Sequence, residues 1–237
     1  DSDDPDRVAA LRKLKRSGSL CLEHRGRRFF APGDIDEFAS LYNDNPKATI
    51  LAGGTDVGLW VTKQHRTLAT VIYTGNVSGL TDITVDEEAI VIGAAATLTD
   101  AIPVIVEHYP GLDEMFRRFA SPPIRNAGTL GGNIANGSPI GDSMAALMVV
   151  GASLALRRGT VERELALDAF YHDYMVNDLK PGEFVVSIRV PLPRDDAIVR
   201  SHKWSKRFDQ DISAVCTAYR LEVEKGVATS FRMACGG

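Results

Sequence analysis

Residues 125–143 of the chain read RNAGTLGGNIANGSPIGDS. Glycine, asparagine, serine and threonine dominate this stretch, while Leu130, Ile134 and Ile140 provide apolar anchors. A disordered linker lacks such anchors, and a hairpin turn needs only two or three residues of this kind. The pattern therefore predicts a long ordered loop over residues 120–142, whose N–H, hydroxyl and amide groups suit a polar ligand rich in oxygen atoms. An irregular loop with a purely structural role is the alternative that the pattern leaves open.

A second glycine-rich segment, AGGTDVG at residues 52–58, directly follows a predicted apolar strand. Two glycines after a strand allow backbone N–H groups to converge into a nest for an anion such as a pyrophosphate. Thr55 adds a hydroxyl donor, and Asp142 of the other segment can accept hydrogen bonds from sugar hydroxyls. A tight strand-to-helix turn explains the segment equally well. Neither a P-loop nor a Rossmann fingerprint is present, because the lysine of the former and the glycine spacing of the latter are missing.

The remaining periodicities predict an α+β protein. Pro32-Gly33-Asp34 introduces a helix whose apolar face includes Phe38, and Thr99 is predicted to cap a later helix. Strands are predicted at residues 49–52, 70–73, 82–85, 89–93, 153–156, 161–165, 184–190, 214–223 and 227–233. The charged, weakly periodic residues before Phe30 are interpreted as a linker.

Composition narrows the classes of function. The net charge is −4, from 27 basic and 31 acidic residues in 237, so neither nucleic acid nor an anionic membrane is an expected partner. The cysteines are Cys21, Cys216 and Cys235, too scattered for a metal site or an iron–sulfur cluster, and they favour a cytoplasmic setting. The histidines form no paired motif. Glycine-rich binding segments without evident acid–base residues are typical of proteins in which a cofactor performs the chemistry.

Both glycine-rich segments together resemble the FAD domain of xanthine dehydrogenase and the flavoprotein subunits of carbon monoxide dehydrogenase-like enzymes. The resemblance extends from about Phe30 to the end of the chain, and residues 60–63 (WVTK) are similar to bacterial xanthine dehydrogenase small subunits. It implies the two-subdomain α+β fold of the vanillyl-alcohol oxidase and carbon monoxide dehydrogenase flavoproteins. On this interpretation residues 1–30 are a linker from an iron–sulfur domain, residues 31–197 are the FAD-binding domain with a split near residue 95, and residues 198–237 begin a C-terminal α+β subdomain.

The resemblance also implies site residues. Residues near the diphosphate and ribityl chain of FAD are expected to be Leu51, Ala52, Gly53, Gly54, Thr55, Asp56, Val57, Thr129, Gly132, Asn133, Asn136 and Ser138. Asp142 is expected to accept a cofactor hydroxyl, and Phe119 to lie against the isoalloxazine ring. Val186 and Lys203 are expected near the adenosine or the ring. No catalytic residue and no metal ligand is expected in the chain.

In the whole enzyme the family implies [2Fe-2S] clusters and molybdopterin on other domains or subunits, with electrons passing through FAD to NAD or oxygen. This chain is therefore interpreted as an FAD-dependent oxidoreductase component of purine catabolism. Two alternatives remain. One is a flavin-free binding or assembly module that retains the fold. The other is a flavoprotein reductase of cell-wall synthesis, which needs a serine or cysteine proton donor that the sequence does not identify.

Overall fold

The computed structural model describes residues 4–14, 18–193 and 197–237. Parts of the predicted linker, residues 1–3 and 15–17, lie outside the described residues, as do residues 194–196 beside the predicted boundary at residue 197. The helices are α1 (Pro5–Leu14), α2 (Ile35–Asp44), α3 (Val57–Thr62), α4 (Leu98–His108), α5 (Asp113–Arg118), α6 (Pro122–Ala127), α7 (Leu130–Asn136) and α8 (Asp142–Val149). Short 3₁₀ turns occupy Pro110–Leu112 and Leu167–Ala169.

Within the described residues, the strands form three main sheets and one small hairpin. They are β1 (Leu20–His24), β2 (Arg27–Ala31), β3 (Thr49–Leu51), β4 (Thr70–Tyr73), β5 (Ile83–Val85), β6 (Ala89–Gly93), β7 (Ser153–Arg158), β8 (Val161–Ala166), β9 (Tyr171–Asp173), β10 (Val176–Asn177), β11 (Phe184–Pro191), β12 (Ala197–Trp204), β13 (Val215–Glu224) and β14 (Val227–Gly236). The sheet orders are β1-β2-β4-β3, β5-β6-β11-β7-β8 and β12-β13-β14, and β9 pairs with β10.

The first sheet combines an antiparallel hairpin, β1-β2, with parallel pairing of β2 to β4 and of β3 to β4. Helix α2 begins where expected, because the Asp34 side chain accepts hydrogen bonds from the N–H groups of Asp36 and Glu37. The helix buries Phe38, whose ring meets that of Phe184 in the second sheet edge-on, with 4.5 Å between centroids. This contact joins the first layer to the second.

The second sheet is antiparallel throughout and carries the larger hydrophobic core. Helices α4, α7 and α8 contribute buried residues to that core. Helix α8 is almost entirely buried, which explains why its sequence, DSMAALMV, is small and apolar without a polar face. The predicted hairpin around Arg158-Gly159 is present as β7-β8.

The third sheet contains both predicted C-terminal strands, as β13 and β14, and a strand that the sequence patterns did not predict, β12. In β12 every second residue is buried, but two of the inward residues are Ser201 and Lys203. These polar side chains conceal the alternation of apolar and polar residues by which a strand is predicted.

Several local expectations require correction. The linker expected over residues 1–30 includes β1 and most of β2 of the first sheet. The first sheet ends at Tyr73 and the second begins at Ile83, and the split expected near residue 95 stays a prediction. Helix α4 is capped by Thr97 rather than Thr99, because Thr97 has extended backbone and accepts a hydrogen bond from the N–H of Asp100. The long loop predicted over residues 120–142 contains helices α6 and α7.

Candidate functional site

A cavity of about 650 Å³ lies where the two glycine-rich segments meet. Residues of the 52–58 segment, of the 128–141 segment and of the stretch just before β11 line it together. The cavity therefore draws on both sheet layers, and it collects residues that are separated by more than one hundred positions in the sequence.

Backbone contact between the segments explains the glycine at position 53. A Cβ atom on Gly53 would lie 1.8 Å from the carbonyl oxygen of Ala127, so no side chain fits there. Gly54 follows with a φ of +73°, a conformation that side-chain-bearing residues rarely adopt. The predicted tight turn after β3 is thus present, and the same segment lines the cavity. Its role as an anion nest stays a prediction.

Helix α7 forms the facing wall. Thr129 caps this helix by accepting a hydrogen bond from the N–H of Gly132 at 3.1 Å, and the N–H of Gly131 donates to the Ala94 carbonyl. A Cβ atom on Gly132 would lie 2.7 Å from the Thr129 hydroxyl oxygen. Because these two N–H groups already have acceptors, the glycines here contribute close approach to the cavity rather than backbone donors.

Aromatic side chains from two separate hydrophobic clusters also line the cavity. Phe38, Tyr42 and Phe184 pack together, and the first and last belong to the smaller cluster. Phe119, which follows α5, belongs to the larger cluster. Burial raises the pKa of the Tyr42 hydroxyl above its ordinary value.

Most of the predicted site residues line this cavity. The lining includes Ala52, Gly53, Gly54, Thr55, Asp56, Val57, Phe119, Thr129, Gly132, Asn133, Asn136 and Ser138. Four predicted residues lie outside the lining: Leu51, Asp142, Val186 and Lys203. Leu51 ends β3, and Val186 lies at the bulge of β11 next to Val185, which does line the cavity.

Asp142 and Lys203 are joined to each other behind the cavity wall. Lys203 Nζ donates to Asp142 Oδ2 at 2.7 Å and to Ser213 Oγ at 2.7 Å, and Ser213 Oγ donates to Asp142 Oδ1 at 2.5 Å. All three residues are buried. Burial, together with the negative charge of Asp142, raises the pKa of the adjacent Cys216 thiol to about 12. Contact of Asp142 and Lys203 with a cofactor stays a prediction, since here each serves as the partner of the other.

Sequence patterns missed the wall formed by residues 179–185. Leu179, Glu183 and Val185 line the cavity, although nothing in their local sequence resembles a binding motif. Arg163 holds this wall: its Nε and Nη2 donate to the two carboxylate oxygens of Glu183 at 2.7 Å, and its Nη1 donates to Asp178 at 2.7 Å. The hydrogen bond from Arg163 lowers the pKa of Glu183. The hydrogen bond from His172 and that from Arg163 lower the pKa of Asp178.

Family comparison bears on the same segments. Residues 24–193 match the model of the FAD-binding domain in molybdopterin dehydrogenase, which covers well over half of the chain. The chain belongs to this family. The family match confirms the cofactor expected from the sequence, FAD. It also confirms the expected class, a component of FAD-dependent oxidoreductases.

Among curated relatives, the xanthine dehydrogenase FAD-binding subunit of Escherichia coli is 29% identical over 83% of the chain and 69% of its own length. A nicotinate hydroxylase of Emericella nidulans is 28% identical over 87% of the chain, and xanthine dehydrogenase of Drosophila pseudoobscura is 30% identical over 93%. The chain spans only 17% and 18% of the length of the latter two proteins.

Solved structures confirm the expected α+β fold. Carbon monoxide dehydrogenase from Hydrogenophaga pseudoflava superimposes with a TM-score of 0.82 and 26% identity, over 91% of this chain and 75% of that one. Quinoline 2-oxidoreductase from Pseudomonas putida has a TM-score of 0.80 at 23% identity, over 91% and 75% of the two chains, which supports the fold alone. In the part of the chain that the structure describes, no helix is long and apolar enough to cross a membrane.

Proposed function

We propose that this chain holds FAD in the cavity and carries electrons as the flavin component of a xanthine dehydrogenase-like molybdenum hydroxylase. The observation that carries the proposal is the cavity lining itself. It combines two glycine-rich segments with aromatic groups from two different clusters. FAD has two flat ring systems joined by a diphosphate and a ribityl chain, so a lining with both glycine-rich and aromatic parts suits it.

The chemistry of the lining is compatible with FAD. At Gly53 and Gly132 a Cβ atom would lie within 3 Å of other atoms of the chain, so the lining presents only backbone at these two positions. The hydroxyl of Thr55 and the amides of Asn133 and Asn136 lie in the same lining and supply hydrogen-bonding groups for phosphate and ribityl oxygens.

Bound FAD would supply the reversible uptake of electrons, and the residues of the chain supply its binding and orientation. The wall formed by residues 179–185 contributes Leu179, Glu183 and Val185 to the lining. We further propose that iron–sulfur and molybdopterin components pass electrons to this flavin, and that NAD or oxygen accepts them. The lengths of the relatives support such partners, because the matched region is a small part of two much longer enzymes.

The proposal is tested by the visible spectrum of the purified chain between about 350 and 500 nm, before and after incubation with FAD and gel filtration. Retention of flavin absorbance in a ratio of one FAD per chain is the expected result. A chain that is folded by circular dichroism but retains no flavin under any loading condition would favour the alternative, a flavin-free assembly module.

A further inference from the structure

Asn177 lies outside the cavity lining, but its side chain connects two segments that belong to the lining. Its Nδ2 donates to the carbonyl oxygen of Ala135 at 2.9 Å, and its Oδ1 accepts from the N–H of Leu179 at 3.1 Å. Ala135 belongs to α7, and Leu179 belongs to the wall formed by residues 179–185. One amide therefore joins the two walls.

Tyr171 reinforces the first of these connections. Its hydroxyl donates to the carbonyl oxygen of Ile134 at 2.8 Å, one residue before the carbonyl that Asn177 contacts. The last carbonyls of a helix need hydrogen-bond donors from outside the helix. Tyr171 and Asn177, at the two ends of the β9-β10 hairpin, provide them for α7.

The second connection ends on a firmly held segment. Asp178 and Glu183 both bond to the Arg163 guanidinium, and the N–H of Asp178 donates to the carbonyl of Phe170 at 2.9 Å. Leu179 therefore follows directly on a residue, Asp178, that is held by hydrogen bonds. Through its bonds to Leu179 and Ala135, Asn177 connects this held segment to α7.

We propose that Asn177 is a positioning residue for the flavin cofactor, because it sets the distance between α7 and the wall formed by residues 179–185. This inference rests on the proposed function. Loss of the amide leaves the lining residues unchanged but releases α7 from the opposing segment, so the asparagines and glycines of α7 no longer keep their position relative to the ligand.

The test compares Asn177→Ala, Asn177→Asp and Tyr171→Phe with the unchanged chain, and uses the exposed Asn76→Ala as the control. The dissociation constant for FAD is measured by quenching of flavin fluorescence, and thermal unfolding is followed in the absence of FAD. We expect Asn177→Ala to weaken FAD binding about tenfold, since two hydrogen bonds are lost. Tyr171→Phe loses one, so about threefold is expected.

Asn177→Asp is the sharpest variant. It keeps the side-chain volume and the acceptor for Leu179, but it places a carboxylate oxygen against the Ala135 carbonyl. We expect weaker FAD binding and an altered visible circular dichroism of the bound flavin, while Asn76→Ala changes neither. A merely structural role would lower the unfolding temperature without changing the dissociation constant or the flavin spectrum measured well below that temperature.

These measurements distinguish a wrong positioning role for Asn177 from a wrong proposed function. If the unchanged chain binds FAD and both Asn177 variants bind it with the same affinity and spectrum, the positioning role is wrong. If Asn177→Ala does not fold, Asn177→Asp and Tyr171→Phe decide the question. If the unchanged chain binds no FAD, the proposed function fails, and the inference fails with it.

Discussion

Two regions of the molecule that share one stretch of sequence, residues 125–143, differ in physical character. At Gly131 and Gly132 the cavity wall is bare backbone, packed so closely against Ala94 and Thr129 that no side chain fits. The cluster of Asp142, Lys203 and Ser213 is closed, and its charges and hydroxyl are bonded to one another. The same motif thus contributes glycines to the cavity wall and Asp142 to the bond between α8 and β12.

The largest effect is expected from breaking the buried cluster. Lys203→Met leaves the Asp142 carboxylate buried without its cationic partner, which typically costs about 3–5 kcal/mol of unfolding free energy. Urea denaturation of the chain without FAD measures the change. The double variant Lys203→Met with Asp142→Leu should recover most of the loss, because no charge then remains buried. A loss below about 1 kcal/mol in the single variant would show that water reaches the carboxylate.

The next largest effect is expected on FAD affinity, from substitutions in the cavity wall that leave the buried cluster unchanged. Gly132→Val places methyl groups where a Cβ atom already lies 2.7 Å from the Thr129 hydroxyl, so we expect FAD affinity to fall about 100-fold, or ~2.7 kcal/mol. Gly54→Val acts similarly, because its φ of +73° strains the loop. The matched control is Gly58→Val, since a Cβ there meets nothing within 4 Å. Equal FAD titrations of the Gly132 and Gly58 variants would place the ligand elsewhere.

A smaller effect depends on pH. The folded-state pKa values of Asp178 and Glu183 lie below their ordinary values of 3.8 and 4.5. The two ionised carboxylates therefore stabilise the folded state fully when the pH is above their ordinary, unfolded-state pKa values. This stabilisation is lost as the pH falls through their lower pKa values in the folded state. We expect the unfolding temperature to fall from about pH 5 downward, and Arg163→Met to flatten this dependence. An identical acid dependence in both proteins would mean that other carboxylates govern it.

The smallest effect concerns the reactivity of Cys216, the thiol beside the buried cluster of Asp142, Lys203 and Ser213, and it tests whether the cluster stays closed to solvent. Cys216 is buried with its pKa raised to about 12, whereas Cys21 and Cys235 are exposed. Because the thiolate is the reactive form, Ellman's reagent should modify two thiols rapidly in the native chain. The third thiol should react only after denaturation. Rapid modification of all three would show that the cluster opens in the folded protein.

Sequence reasoning succeeded where local chemistry determines local structure. The Asp34 cap and the β7-β8 hairpin follow from spacing and turn residues. Twelve of the predicted site residues line one cavity, and their contact with FAD stays a prediction. Sequence reasoning failed where contacts formed in the folded chain select between residues that are locally equivalent. Thr97 and Thr99 are equivalent as sequence, and only the backbone geometry at Thr97 selects the cap. The predicted long loop contains α7 because burial of Leu130 and Ile134 compensates for the low helix propensity of the neighbouring glycines.

The sequence by itself determined the family and the two glycine-rich segments that line the cavity. Those features depend on residue identity at fixed spacing. Only the tertiary structure decided that Asp142 is paired with Lys203, 61 positions away, and that Asn177 joins two walls. A polar side chain finds its partner through folding of the whole chain, and no local pattern specifies which donor will lie within 3 Å of which acceptor.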